Sequence, residues 1–429
     1  MGASGDAGAL PRNGDLRQRA LAVLERNHRD GYTVPAQELY PFQWCWDSGP
    51  IALGWAAVGR WDTAWTELER LFSAQWTSGM VPHIVFWQED DGYFPGPEIW
   101  ATGRNPPTTG LTQPPLPVSA AARLFAGDPD RDRALSSFRS LWPHLVAWLS
   151  WIERARQGPH GASVIVHPWE SGMDNSPSWD QSLSVVPEMS NEHIERRDVV
   201  TVSADQRPSS REYRQYLGIV EVLRTAGWNT ERQPADSPFA VEDPGFTAIT
   251  ARAAADLAAV ATAAGVDVRA STRLAESLGT GLHALWDDDM GWYRPYDVLA
   301  KCAVGPATST GLVALWAGVP VARVHRMLAR VDSWRTTLPA AIPTSQPDDP
   351  SFDPIRYWRG PVWVLINWLV ADGLARAGFT DRASALRTAT RTLVARSFSE
   401  YYDPRNAAGI GGQGFSWSAA LTLAWLTEA

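Results

Sequence analysis

The chain has 429 residues, which allows two or three domains or one large repetitive one. Hydrophobic residues make up 45% and charged residues 20%, a balance that supports a folded core and excludes a disordered chain. The 38 basic and 47 acidic side chains leave a net charge of −9 with no basic run, which argues against a nucleic-acid or anionic-membrane surface.

The start of the chain, MGASGDAGALPRNGDLRQRA, lacks the basic-then-apolar order of a signal peptide. Asp6 stands where N-myristoylation wants Ser or Thr. Leu16, Ala20, Val23 and Leu24 then recur at helical spacing, with Asp15 as the expected N-cap and Asn27 near the end. Two helices are expected over about 48–59 and 61–76, parted by Gly59 and Arg60, and another over about 117–126. The clearest covers about 130–157, where Leu135, Phe138, Leu141, Leu145, Trp148, Leu149 and Ile152 keep the spacing. Further helices are expected near 211–226, 244–264, 268–286, 306–317, 319–331, 361–377, 381–396 and 416–428. Val, Ile and Thr alternation is scarce, and Ala162–His167 reads as a small hairpin piece inside a loop.

Roughly a dozen helices broken by Gly or Asp suggest pairs, each burying one stripe against the next. No self-similar repeat is present, so an open solenoid with a consensus unit is excluded. The expected fold is all-α: six pairs closed into an (α/α)6 toroid, its inner helices the more apolar ones, such as 361–377 and 416–428. One catalytic domain over 1–429 is expected, with loop insertions near 79–116 and 158–210 covering the site. These two and 335–360 are long and rich in Pro, Trp and Asp, and loops of that length in a compact domain are usually functional or disordered. Their aromatic content argues against disorder. No apolar stretch reaches the roughly 18 residues of a membrane helix. Cys45 and Cys302 form no CxxC and no disulfide framework, so a reducing, cytoplasmic setting is expected.

Lys301 is the one lysine, most simply a coding bias. Tryptophan occurs 23 times, several in Pro/Gly-rich segments beside Asp, Glu, Gln and Arg. The first such segment is Tyr40-Pro-Phe-Gln-Trp44-Cys-Trp46-Asp47. Sugars offer apolar C–H faces and equatorial hydroxyls, so a sugar site needs flat aromatic platforms beside bidentate carboxylates or amides. This octapeptide supplies both, though a Trp-rich core corner with Asp47 as an N-cap reads equally well. The second runs from Pro82-His83 through Asp91-Gly92-Tyr93-Phe94-Pro95-Gly96-Pro97 and Trp100 to Gln113. A lone His here is more often a hydrogen-bonded structural residue than a ligand. No HxxxH or HExxH occurs, so no metal is expected.

The third segment, Trp169-Glu170-Ser171-Gly172-Met173-Asp174-Asn175-Ser176-Pro177 with Trp179-Asp180, packs three carboxylates and two tryptophans into twelve residues of loop. A carboxyl held against Trp in a partly dry pocket has its pKa raised and can act as a general acid. Asx-type turns account for one or two of these carboxylates. The fourth, Phe398-Ser399-Glu400-Tyr401-Tyr402-Asp403-Pro404, precedes a Gly-rich run, Gly409–Gly414, that reads as a flexible flap, and then Phe415-Ser416-Trp417. A helical toroid can bring a mid-chain acid and a late carboxylate across one mouth, the pair that glycoside hydrolysis needs. The fifth, Arg356-Tyr357-Trp358-Arg359-Gly360-Pro361-Val362-Trp363, offers cations for an acidic substrate together with Gln206-Arg207-Pro208 and Tyr213. Arg214 and Arg359 taken singly read as solvated loop charge.

These residues resemble glycoside hydrolase family 63, and within it the bacterial mannosylglycerate and glucosylglycerate hydrolases. The matching blocks are LYPFQWCWD, SAQWTSGMVPHIVF, DGYFPGP, LTQPP, HPWESGMDNSPSWD, QRPSSREYRQYL, DVLAK, IPTS, YWRGPVW and SFSEYYDP, in order over nearly the whole chain. The resemblance implies an inverting α-glycosidase of a small α-glucoside or α-mannoside, with Asp174 as acid and Glu400 as the base that activates water. It implies a sugar subsite of Tyr40, Trp44, Trp46, Asp47, His83, Tyr93, Gln113, Trp358 and Trp363. The acid moiety would meet Arg207, Tyr213 and Tyr357. The glycerate hydrolases carry Gln-Gln ahead of the Ser-Trp of the last helix; Gly414 and Phe415 stand there here, which points to a less polar or differently shaped aglycone. The expected partner is a small sugar conjugate, with no cofactor, nucleic acid or membrane. A homo-oligomer is neither required nor excluded. A sugar epimerase, or a sugar-binding protein on the same fold, is the remote alternative.

Overall fold

The computed structural model describes residues 12–427 apart from 91, 190–195 and 338–340. The expected absence of a leader or acyl site falls on residues 1–11, outside the described ones, as does Asp91. Leaving short turns unnumbered, the helices are α1 (Asn13–Asn27), α2 (Cys45–Ala57), α3 (Trp61–Phe72), α4 (Leu116–Gly127), α5 (Arg131–Ala155), α6 (Ser210–Thr225), α7 (Pro244–Ala264) and α8 (Arg269–Ala284). They continue with α9 (Ser309–Leu312), α10 (Ala314–Ala317), α11 (Val321–Thr337), α12 (Val364–Arg376), α13 (Thr380–Val394) and α14 (Ser416–Leu421), which runs into a π-helical turn, Thr422–Leu426.

Six segments form a ring. Helix α2 packs on α4, α4 on α7, α7 on α10, α10 on α12, α12 on α14, and α14 back on α2. These are the apolar segments: every residue of α14, and nearly all of α2, α4 and α12, is buried. Between them in the chain come amphipathic helices that cover the ring. Thus α3 packs on α2, α8 on α7, α13 on α12 and α1 on α14. In α3 only the stripe Ala64, Trp65, Leu68, Leu71 and Phe72, with Glu67, is buried, as a two-layer arrangement demands. The ring closes tightly because small residues sit at its crossings. A Cβ on Gly54 of α2 would lie 2.6 Å from the Ala420 Cβ of α14, and one on Gly373 of α12 would lie 2.4 Å from the Leu315 carbonyl oxygen of α10.

Several local expectations differ in detail. Asp15 lies inside the first turn of α1, because the helix begins at Asn13. Asp47 is no N-cap either; Trp44 holds that position and Asp47 is in the first turn of α2. The helix expected near 306–317 is broken into α9 and α10. The 416–428 helix changes to π-type after Leu421.

The strands are short: β1 (Gln43–Trp44), β2 (Ile84–Val85), β3 (Val164–Ile165), β4 (Val241–Glu242), β5 (Trp286–Asp287), β6 (Trp292–Tyr293), β7 (Tyr296–Asp297), β8 (Cys302–Ala303), β9 (Ser399–Tyr402) and β10 (Gly409–Gln413). Ala162–His167 is one arm of a small hairpin, with Ser163 bridged antiparallel to Gln157, and it also contributes β3 to a sheet ordered β3-β4-β7-β8. The Gly-rich run is β10, paired antiparallel with β9 rather than hanging as an irregular flap. Among the described residues, no helix is long and apolar enough to cross a membrane.

Candidate active site

One pocket of about 930 Å³ is lined by every residue the sequence singled out for the site. Helix α2 and the strand before it bring Tyr40, Trp44, Trp46 and Asp47; the first long loop brings His83, Tyr93 and Gln113. The second long loop and the start of α6 bring Asp174, Arg207 and Tyr213. The approach to α12 brings Tyr357, Trp358 and Trp363, and β9 brings Glu400.

Short hydrogen bonds lock these segments together. The β1–β2 pairing and the bond from Cys45 N–H to the His83 carbonyl, 2.9 Å, join the first two. The Gln113 side chain accepts from Trp46 N–H at 3.3 Å. Burial, then nearby Glu400, raises the Asp47 carboxyl well above its usual range. Burial and His167 lower His83 well below its usual range, so its ring is neutral at pH 7. Its Nδ1 is buried without a partner.

Asp174 lies two residues after Gly172, where the chain takes a left-handed turn (φ +72°) and a Cβ would come within 2.5 Å of the Trp46 ring. Glycine therefore lets the indole sit against the loop. The loop is pinned by Tyr216 O–H to the Asp174 carbonyl, 2.8 Å, and by Trp179 Nε1–H to the Met173 carbonyl, 2.8 Å. Among the described residues no side chain is hydrogen-bonded to the Asp174 carboxyl. Burial pushes that carboxyl up to about 8; its own backbone N–H and Arg207 oppose the shift, and Glu400 adds to it. The other carboxylates of this loop have structural partners. Glu170 forms a fully buried ion pair with Arg156, 2.8 Å, and Asp180 pairs with Arg359 at 2.5 Å. Arg359 is thus not a solvated charge, and Arg214 pairs with Glu188 at 2.7 Å.

Glu400 is held differently. Arg207 donates to both of its oxygens, at 3.2 and 2.7 Å. Tyr40 O–H donates to Oε1 at 2.9 Å and Gly412 N–H to Oε2 at 2.8 Å. The Tyr357 hydroxyl lies 3.2 Å from that of Tyr40, which in turn accepts from Arg207 at 2.9 Å. Strand β10 thus presents a backbone N–H to Glu400, and glycine is required beside it: at Gly411 (φ +71°) a Cβ would meet the Tyr401 ring at 2.5 Å.

Trp358 and Trp363 stack at 3.7 Å with an interplanar angle of 5°. The Nε1 donors of Trp358 and Trp417 are buried and unpartnered beside the pocket. Tyr213 O–H donates to the Phe94 carbonyl at 3.2 Å. Phe415 forms part of the wall, edge-on to Tyr40 at 6.0 Å. The lining residues outside the sequence-predicted set include Trp100, Trp169 and Trp417, whose motifs offered a signal, and Arg197 and Asp198, whose polar stretch offered none. Among the described residues no cluster of His, Cys, Asp and Glu could hold a metal ion.

Aromatic platforms around paired acid groups, set beside a ring of helices, make up the equipment of a glycoside hydrolase. Residues 40–418 match the family model described as the mannosylglycerate hydrolase MGH1-like glycoside hydrolase domain. The chain is 44% identical to the mannosylglycerate hydrolase of Thermus thermophilus, over 95% of this chain and 99% of that one. It is 35% identical to the glucosylglycerate hydrolase of Mycolicibacterium hassiacum, over 96% and 97%. The crystal structure of a family 63 mannosylglycerate hydrolase from Thermus thermophilus in complex with Tris superposes with a TM-score of 0.93 at 44% identity, covering 96% of this chain and 99% of that one. The protein is therefore a glycoside hydrolase, and the chain belongs to the mannosylglycerate hydrolase MGH1-like family.

Proposed function

We propose that the protein is an inverting α-glycosidase that hydrolyses mannosylglycerate or glucosylglycerate, on a single-domain (α/α)6 toroid. The observation that carries this reading is the contrast between two carboxyl groups in one pocket. Asp174 holds its proton at neutral pH, while Glu400 faces four donated hydrogen bonds, two of them from Arg207. A buried carboxyl that keeps its proton, facing one whose oxygens accept from fixed donors, is what acid and base roles call for.

Asp174 delivers its proton to the glycosidic oxygen as the bond from that oxygen to C1 breaks. A water on the opposite face attacks C1 and gives its proton to Glu400. The sum is one water added across the bond with the anomeric configuration inverted. The stacked Trp358–Trp363 pair and Trp44 offer apolar faces to the sugar, and Asp47, Gln113 and His83 offer it hydrogen bonds. Tyr213 and Tyr357 line the aglycone side. The alternating inner and outer helices support the toroid, and the free thiols of Cys45 and Cys302 support a cytoplasmic setting. Phe415 in the wall favours a second reading, in which the aglycone is less polar than glycerate.

Proton NMR from the first minute of reaction, with the α-mannosyl and α-glucosyl conjugates of glycerate, tests the proposal. The expected product is the β-anomer of one sugar. Release of the α-anomer overturns inversion, and cleavage of another α-glycoside with both glycerate conjugates untouched overturns the substrate. In a substrate-analogue complex the two carboxyl groups should stand roughly 6.5–9.5 Å apart; about 5 Å belongs to a retaining enzyme.

A further inference from the structure

This inference rests on the role proposed for Glu400 and concerns what aims a backbone donor at it. Strands β9 and β10 pair Ile410 with Tyr401 and Gln413 with Ser399. Between those pairs Gly411 and Gly412 face a single residue of β9, which is Glu400. Two residues opposite one is the count of a β-bulge, a device that re-aims groups beside a site. Both N–H groups of the bulge go to side chains. Gly412 N–H donates to Glu400 Oε2 at 2.8 Å, and Gly411 N–H donates to Gln206 Oε1 at 3.0 Å.

Gln206 is itself fixed. It closes the short 3-10 turn Ala204–Gln206, and its carbonyl accepts from Tyr401 O–H at 2.8 Å and from Tyr357 N–H at 3.2 Å. The next residue is Arg207, whose guanidinium grips both oxygens of Glu400. One dipeptide thus reaches this carboxylate by two routes, through a side chain and through the bulge. The strand on either side of the bulge is anchored without Gln206. Ser399 O–H donates to Gln413 Oε1 at 2.9 Å, and Asp403 N–H donates to the Ala408 carbonyl at 2.9 Å. Removing the Gln206 side chain therefore frees the bulge but not the strand.

We propose that Gln206 is a positioning residue for Glu400: its side-chain oxygen holds the Gly411–Gly412 bulge in the shape that keeps the Gly412 N–H on Glu400. Gln206 is not among the residues lining the pocket, so it acts through the bulge and not on the substrate. A carboxylate held by fixed donors presents the same lone pair to water at every turnover, and a small misplacement of such a group is costly in rate.

The test uses the full chain and two substrates, the preferred glycosylglycerate and the α-fluoride of the same sugar. Fluoride leaves without a proton from the enzyme, so its hydrolysis reads the water-activating side of the site. Gln206→Met keeps the length of the side chain and removes the acceptor. It should lower kcat about 10-fold on both substrates, as loss of one hydrogen bond to a charged group does, and leave KM nearly unmoved. Gln206→Glu restores an oxygen for Gly411 N–H and should recover part of that loss. Should Gln206→Met melt below wild type, Gln206→Asn, whose amide falls one methylene short, carries the same expectation. The inference is overturned by an unchanged kcat, by a loss on the glycosylglycerate that is absent on the fluoride, or by a Gln206→Glu no better than Gln206→Met. Glu400→Gln separates this from the reading beneath it: fluoride hydrolysis at the wild-type rate in that variant would remove the base assignment itself.

Discussion

Arg207 and Glu400 stand 193 positions apart in sequence and meet in a two-pronged ion pair, with both side chains 1% exposed. Three tyrosines surround the guanidinium: its carbon lies 4.9 Å from the ring centre of Tyr357, 5.8 Å from Tyr401 and 5.9 Å from Tyr40. A pair this enclosed keeps the Glu400 oxygens in one orientation. Removing one partner strands the other in a dry site, at a cost of about 3–5 kcal/mol. Arg207→Ala should therefore lose both stability and turnover, and chemical denaturation beside steady-state kinetics measures the two losses. Near-wild-type kcat in Arg207→Ala would show that Glu400 needs no such support.

The acid role proposed for Asp174 implies an upper pH limit to activity. A general acid must be protonated to act, and burial holds this one up to about 8. The kcat/KM profile should therefore fall as pH rises through about 8. Asp174→Asn should cost several orders of magnitude in turnover, leave melting close to wild type, and abolish that alkaline limb in whatever activity persists. A flat wild-type profile up to pH 10 would assign the acid elsewhere.

Glu67 should make folding stability depend on pH. Its carboxyl is buried under α2, accepting 2.9 Å bonds from Gln43 and Ser48, and Oε2 has no partner. Burial raises it from 4.5 to about 7, against the pull of those bonds. The folded state thus binds this proton more tightly than the unfolded chain. Its contribution is complete below about 4.5 and is lost as pH rises through about 7, on the order of 3 kcal/mol in all. Urea unfolding at pH 5 and pH 8 measures the slope, and Glu67→Gln should flatten it. An equal slope in the variant would sink the assignment.

Ring closure should be sensitive at Gly54. Its Cβ position lies 2.6 Å from the Ala420 Cβ, and Leu24 closes the other side at 3.2 Å. Gly54→Val should overpack the α2–α14 crossing and destabilise by roughly 1–3 kcal/mol or more. Gly59, with open space around its Cβ position but φ +78°, makes a useful contrast: strain there comes from the backbone alone. Equal melting temperatures for wild type and Gly54→Val would mean that the crossing yields.

Much of this protein could be read from the chain alone. Helix periodicity is local, so α5 follows from the spacing of Phe138, Leu141, Leu145, Trp148 and Ile152, and the ring from the alternation of wholly apolar and one-sided helices. The aromatic and carboxylate motifs could likewise be picked out as site material, because sugar chemistry calls for those residue types together. Tertiary structure decided which carboxyl is paired and which lines the pocket. Glu170 and Asp174 are four residues apart in one loop, yet Arg156 takes the first into a buried ion pair while the second faces the pocket. It also turned a Gly-rich run into β10, whose Gly412 N–H meets Glu400, and brought Arg197 into the pocket from a stretch with no motif. The reason is physical: a side chain's protonation and partners depend on what burial removes and which distant donors arrive. Those contacts span tens to hundreds of residues, and no local spacing encodes them.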